Sequence, residues 1–214
     1  MTQLCVFPIP ECVTFPGTVF PLHVFEPRYR KMIQRCLDEN IPVAICHTEK
    51  LIRPAPETET VGEALCTDQA TYRPTSVFSA GQCELHETTD DGRMYLSVHL
   101  DQRYQLGEVV QHMPYLMVEC EPLLDDSPEQ DATTSDLQVL QDKLLHRLEA
   151  LLAGEPEPAA TQLLNEWQQQ TPEHFSFSLF GAIQFDAEQQ QAILEMRSPK
   201  ARLECALDLL NAVG

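Results

Sequence analysis

The feature that most constrains this chain is a change of hydrophobic period at an acidic, irregular stretch two-thirds of the way along. Before residue 122 the apolar residues come in short, Pro- and Gly-punctuated runs, as strands do. After residue 136 leucines recur at helical spacing, with Leu137, Leu140, Leu144, Leu145, Leu148, Leu151 and Leu152 forming one stripe. Between them, residues 122–136 carry five carboxylates and no Lys or Arg. This order predicts an α+β chain: a β-rich domain over 1–121, an acidic linker over 122–136 and a helical subdomain over 137–214.

Within the first part, prolines at 8, 10, 16 and 21 interrupt extended segments, and Pro16-Gly17 marks a tight turn between two of them. A helix is expected from Glu26 to Asn40. Pro27 suits its first position, and Tyr29, Met32, Ile33, Cys36 and Leu37 lie on one face. Strands are expected at 43–47, 61–70, 75–86, 94–100, 103–110 and 115–121, with Asp90-Asp91-Gly92 as a hairpin turn. In the strand after that turn, Tyr95, Ser97 and His99 face water while Met94, Leu96, Val98 and Leu100 face the core. In the helical part Asp136 is the expected N-cap of the first helix, and Ser198-Pro199 that of the last.

Charge narrows the function. With 33 acidic and 14 basic residues the formal charge is −19, which disfavours nucleic acid and anionic membrane surfaces as partners. No apolar run approaches membrane-spanning length, and the N-terminus lacks a basic n-region, so a cytoplasmic location is expected. The eight cysteines include no Cys-x-x-Cys spacing and sit mostly among apolar neighbours, so they read as free thiols. Cys83 with His86 is the nearest approach to a ligand pair, but residues three apart on a strand face opposite ways. Cys46-His47 fails as a nucleophile–base pair for the same reason. No metal, cofactor or catalytic residue is assigned, and none of the eight glycines is followed by Lys, so there is no phosphate-binding P-loop.

Residues 15–30, PheProGlyThrValPheProLeuHisValPheGluProArgTyrArg, resemble the signature of the N-terminal substrate-binding domain of the Lon ATP-dependent proteases. The likeness continues through 79–98 and 101–109, where Asp101 and Tyr104 stand in place of the usual Gly and Phe, and through 186–203. It implies a PUA-like pseudo-barrel with one helix, then a helical subdomain. It also implies recognition of unfolded or damaged protein or peptide clients, with a separate protease or ATPase as a further partner, in a stand-alone member without ATPase or peptidase domains. The matching motif residues are Phe15, Pro16, Gly17, Pro21, His23, Phe25, Glu26, Arg28 and Tyr29. Turn geometry, helix-end electrostatics and packing explain them better than ligand contact does. The reading is therefore a non-catalytic binding module whose acidic surface favours basic clients. A small-molecule-binding barrel and a cysteine-dependent hydrolase are the alternatives.

Overall fold

The computed structural model describes residues 1–58, 60–126, 133–152, 158–183 and 185–213. The chain divides into two compact units, Met1–Leu123 with Asp186–Gln191, and Leu124–Phe185 with Ala192–Gly214.

The first unit is built on strands β1 (Thr2–Pro8), β2 (Thr18–Val24), β3 (Val43–Cys46), β6 (Val77–Thr88), β7 (Met94–Gln111) and β8 (Leu116–Pro122), in the order β2-β7-β6-β3-β1-β8. A further pairing of β7 with β8 closes the sheet on itself. β1 and β3 pair in parallel and the other neighbours antiparallel. The parallel pair is buried on both faces, which explains its unbroken apolar sequence. Leu4, Val6, Ala44 and Cys46 pack inward with Phe78, Tyr104 and Val118. Cys5, Val43 and Ile45 face outward, under Met32, Ile33 and Cys36 of helix α1 (Pro27–Glu39).

Closure requires sharp bends, and β7 supplies them. The expected strands 94–100 and 103–110 are one continuous strand with register shifts opposite Ala80/Gly81 and between Gln105 and Glu108. Gly81 and Gly107 stand at these shifts. A Cβ there would lie 1.7 Å from the His99 carbonyl oxygen and 2.0 Å from that of Glu119. Neither strand pair could approach so closely with a larger residue. The 90–92 turn forms as expected, with Gly92 at φ +81°.

In the segment between β3 and β6 one expectation fails and one element appears that was not expected. Residues 61–70 do not form a strand. Thr60 and Glu63 cap each other reciprocally, Glu63 N–H donating to Thr60 Oγ1 at 3.2 Å and Thr60 N–H to Glu63 Oε2 at 3.3 Å. That capping box starts the short helix α2 (Val61–Leu65). In addition β4 (Thr48–Arg53) and β5 (Thr71–Pro74) form a separate two-stranded antiparallel ribbon. Its charged outer sequence masks the strand period.

The second unit comprises α3 (Thr134–Leu152), α4 (Pro158–Gln169), α5 (Pro172–Ala182), the end of α6 (Ala187–Glu195) and α7 (Pro199–Val213). α3 starts within the expected linker; residues 127–132 of that linker lie outside the described residues. Its cap is Thr133, whose Oγ1 accepts the Asp136 N–H at 3.3 Å, so Asp136 is the third residue of a capping box and not the N-cap. Ser198 caps α7 as expected, accepting the Ala201 N–H at 2.9 Å. Leu144, Phe175, Leu179, Phe180 and Leu203 form the core, with Arg202 buried among them. The Arg202 guanidinium makes two 2.7 Å bonds to Asp125, donates to Ser176 and to the Met196 carbonyl, and lies 3.8 Å over the Phe177 ring.

Candidate functional site

The motif residues begin with a turn anchored by a buried phenylalanine. Phe15 is buried, Pro16 half-buried, and Gly17 sits at φ +81°, donating its N–H to the Leu100 carbonyl at 2.7 Å. Only glycine adopts that backbone conformation at no steric cost. Along β2 the side chains alternate: Leu22 and Val24 go to the core, while Pro21 and His23 are exposed. His23 stacks on Tyr95 of β7 with ring centroids 4.4 Å apart, and half-buried Phe25 lies beside it.

Glu26 precedes α1 in extended conformation but does not cap the helix with its side chain. Its carboxylate instead accepts the Gln69 N–H at 2.9 Å and pairs with Arg28 at 2.8 Å. Burial pushes its pKa above the ordinary carboxylate value, while the Gln69 N–H and the Arg28 guanidinium pull it back. Arg28 donates to Thr71 Oγ1 at 2.8 Å and to the Ala70 carbonyl at 2.7 Å, and its own N–H reaches Asp68 at 2.9 Å. Its guanidinium lies 4.5 Å from the Tyr29 ring, which stacks on Phe7 at 4.1 Å. Glu26, Arg28 and Tyr29 thus come together as a buried clamp that ties the start of α1 to residues 68–71, at the entry to β5. The partners Asp68 and Thr71 carry no sequence signal that would have selected them.

The clamp forms one end of a cleft of about 530 Å³. Val6, Tyr29, Leu106 and Tyr115 line it, with Ile52 and Tyr72 contributed by the ribbon, Val109 by the end of β7 and Met113 by the β7–β8 turn. Its apolar rim is uncovered: Ile52 is 61% exposed and Met113 72%. The volume matches ligand-sized pockets, and the lining, mostly apolar with a few polar groups, suits apolar side chains.

Neither Cys46-His47 nor Cys83 with His86 lines this cleft. Cys46 lies inside the barrel, its thiol facing the Phe7 carbonyl at 3.9 Å, and burial pushes its pKa well above the ordinary range. A thiol so placed is not a nucleophile at neutral pH. Cys83 packs half-buried against the core while His86 bonds Ser97 at 2.7 Å on the exposed face. Among the described residues no group of three or more His, Cys, Asp or Glu could hold a metal ion, and no helix is long and apolar enough to cross a membrane.

Comparison with known proteins agrees with this architecture. Two solved Lon N-terminal domains superpose on it. That from Xanthomonas campestris has a TM-score of 0.61 at 18% identity, covering 97% of this chain and 98% of its own. That from Mycobacterium avium complex Lon protease has a TM-score of 0.67 at 16% identity, covering 98% of each chain. At such identities the likeness is one of fold. Among curated sequences, Lon protease 2 of Myxococcus xanthus is 25% identical and Lon protease of Anaeromyxobacter dehalogenans (strain 2CP-C) 26% identical, each over 209 residues. These alignments cover 97% of this chain but only 23% of either relative. The model of the ATP-dependent protease La (LON) substrate-binding domain matches residues 3–212, so the chain belongs to that family.

Proposed function

We propose that this chain is a non-catalytic recognition module that takes up exposed apolar segments of unfolded protein in the cleft between the β4–β5 ribbon and the β7–β8 turn. The observation that carries the reading is the uncovered apolar rim: Ile52 and Met113 stand open at the mouth of a cavity lined by Val6, Leu106 and Tyr115. Membership in a substrate-binding family supports it. β4 and β5 each have a single strand neighbour, leaving an edge to which an extended segment can add. The motif residues of the clamp serve as scaffold on this reading, since their polar atoms are engaged with one another. Transfer of the bound client to a separate protease or ATPase in the cytoplasm completes the proposal.

The test is anisotropy of a labelled, permanently unfolded polypeptide and of its folded counterpart at two salt concentrations. The unfolded form alone should bind and survive high salt, and Ile52→Asp and Met113→Asp should each weaken it about tenfold, since burying a charge opposes the apolar contact. Absence of binding to either form would sink the proposal. A small-molecule ligand is the second reading, favoured by the cavity volume alone.

A further inference from the structure

The ribbon that walls the cleft differs in charge from the rest of the molecule. The whole chain carries 33 acidic against 14 basic residues. Within β4 and β5, Lys50, Arg53 and Arg73 stand against one carboxylate, Glu49. All four are exposed, and none makes an ion pair with another group of the described chain, whereas Arg35, Arg93 and Arg197 elsewhere on the surface each hold an acid. Asp68, which approaches from the connecting segment, is held by the Arg28 N–H, and Glu63 is held by Thr60. Glu57 is the remaining described carboxylate of that segment. Leu51 and Ile52 stand exposed between these cations, at 48% and 61%. Of the ribbon's charged residues Arg73 and Glu49 line the cleft itself, with the His112 imidazole of the β7–β8 turn and the already engaged Arg28, while Lys50 and Arg53 stand on the ribbon outside that lining.

From this juxtaposition we infer that the cleft selects extended segments in which an apolar anchor is flanked by carboxylates, so its preferred clients are acidic–apolar peptides. The inference rests on the proposed function of the cleft and names its substrate class. It runs against the preference that net charge alone suggests. The two effects act over different distances. At physiological salt, charges beyond about 8 Å are screened, so the overall negative charge mainly slows the approach of an acidic peptide. Once the apolar anchor is docked, Arg73 lies in the cleft lining, and residues flanking the anchor run onto the ribbon that carries Lys50 and Arg53, where pairing at short range persists. A nucleic acid would meet the same three cations, but its affinity depends on neutralising many phosphates, and the acidic remainder of the surface opposes it.

The experiment uses the full chain and three labelled extended peptides of one length and one apolar core, flanked by Glu, by Gln or by Lys, at about 0.15 M salt. A single-stranded oligonucleotide of similar length is the fourth probe. The Glu-flanked peptide should bind about three- to tenfold tighter than the Gln-flanked one, the scale of a few exposed pairs. In the Lys50→Gln/Arg73→Gln variant the ratio of Glu- to Gln-flanked affinity should fall to about one, with the far-ultraviolet spectrum unchanged. Equal binding of all three peptides, tighter binding of the Lys-flanked one, or an unchanged ratio in the variant would overturn the inference and leave the apolar cleft standing. Binding of the oligonucleotide in preference to every peptide would overturn it as well. Failure of all three peptides to bind would overturn the cleft reading itself.

Discussion

Two regions of this molecule use arginine in opposite ways. In the helical unit Arg202 is fully buried and its guanidinium is engaged by Asp125, Ser176, the Met196 carbonyl and the Phe177 ring. In the β4–β5 ribbon Arg53 and Arg73 stand exposed without an ion-pair partner in the described chain. A charge already satisfied inside the fold cannot bind anything else, and its removal is felt as lost stability. An exposed, unpaired charge contributes almost nothing to stability and remains available to a ligand. The Arg28 clamp belongs to the first kind although it borders the cleft.

The largest break in this contrast should come from Asp125→Ala. It leaves the Arg202 guanidinium buried without its carboxylate, a loss of about 3–5 kcal/mol. Trp167, the one tryptophan and 97% buried in the helical unit at 3% exposure, reports the loss as a lower denaturation midpoint in its fluorescence. Arg28→Ala follows, at about 2–3 kcal/mol, because charged hydrogen bonds to Thr71 and Ala70 disappear and the mostly covered Glu26 carboxylate loses its cation. Amide exchange should quicken at the start of α1 and at 68–71. A drop confined to other segments would show that the clamp does not hold this junction.

Glu26 sharpens the comparison through pH. Burial raises its pKa above 4.5, so the folded chain binds this proton more tightly than the unfolded chain. Stability from this group is therefore greatest below the ordinary value and falls as pH rises through the raised one. Glu26→Gln should flatten that slope in denaturation midpoints measured across the acidic range, and Arg28→Ala should steepen it by removing the compensating cation. An Arg73→Gln substitution should shift stability by less than about 0.5 kcal/mol, as exposed sites do. A larger shift would move Arg73 into the first class. The smallest effects concern thiols: iodoacetamide should label exposed Cys66 well before Cys12, which burial pushes up to about 11, and should reach Cys46 only on unfolding.

Much of the barrel was legible because its signals are local. Pro16-Gly17 and Asp90-Asp91-Gly92 announce turns, and the alternation from Met94 to Leu100 matches the observed burial, with Ser97 half-buried on the outer face. Pro27 and the spacing of Tyr29, Met32, Ile33 and Cys36 place α1 and its buried face. The Thr60-x-x-Glu63 box was a legible helix start that strand periodicity obscured, and Thr133-x-x-Asp136 was another, read one turn late because Asp136 is itself a good N-cap residue. The ribbon was missed for a different reason. ThrGluLysLeuIleArg has neither a buried face nor a local turn partner, and it pairs with β5 across an intervening helix.

The sequence by itself determined the element types, the turns, the apolar faces and the family resemblance, since each depends on side chains within a few positions of one another. Tertiary structure alone decided that β7 bends to close the sheet on β8, that Arg28 reaches Thr71 and Ala70, and that Ile52 and Met113 line one cleft. The last two are meetings of residues some forty to sixty positions apart, and the first depends on β8 pairing on its other side with β1, more than a hundred positions away. No periodicity encodes them, because closing such loops depends on the packing of the whole unit.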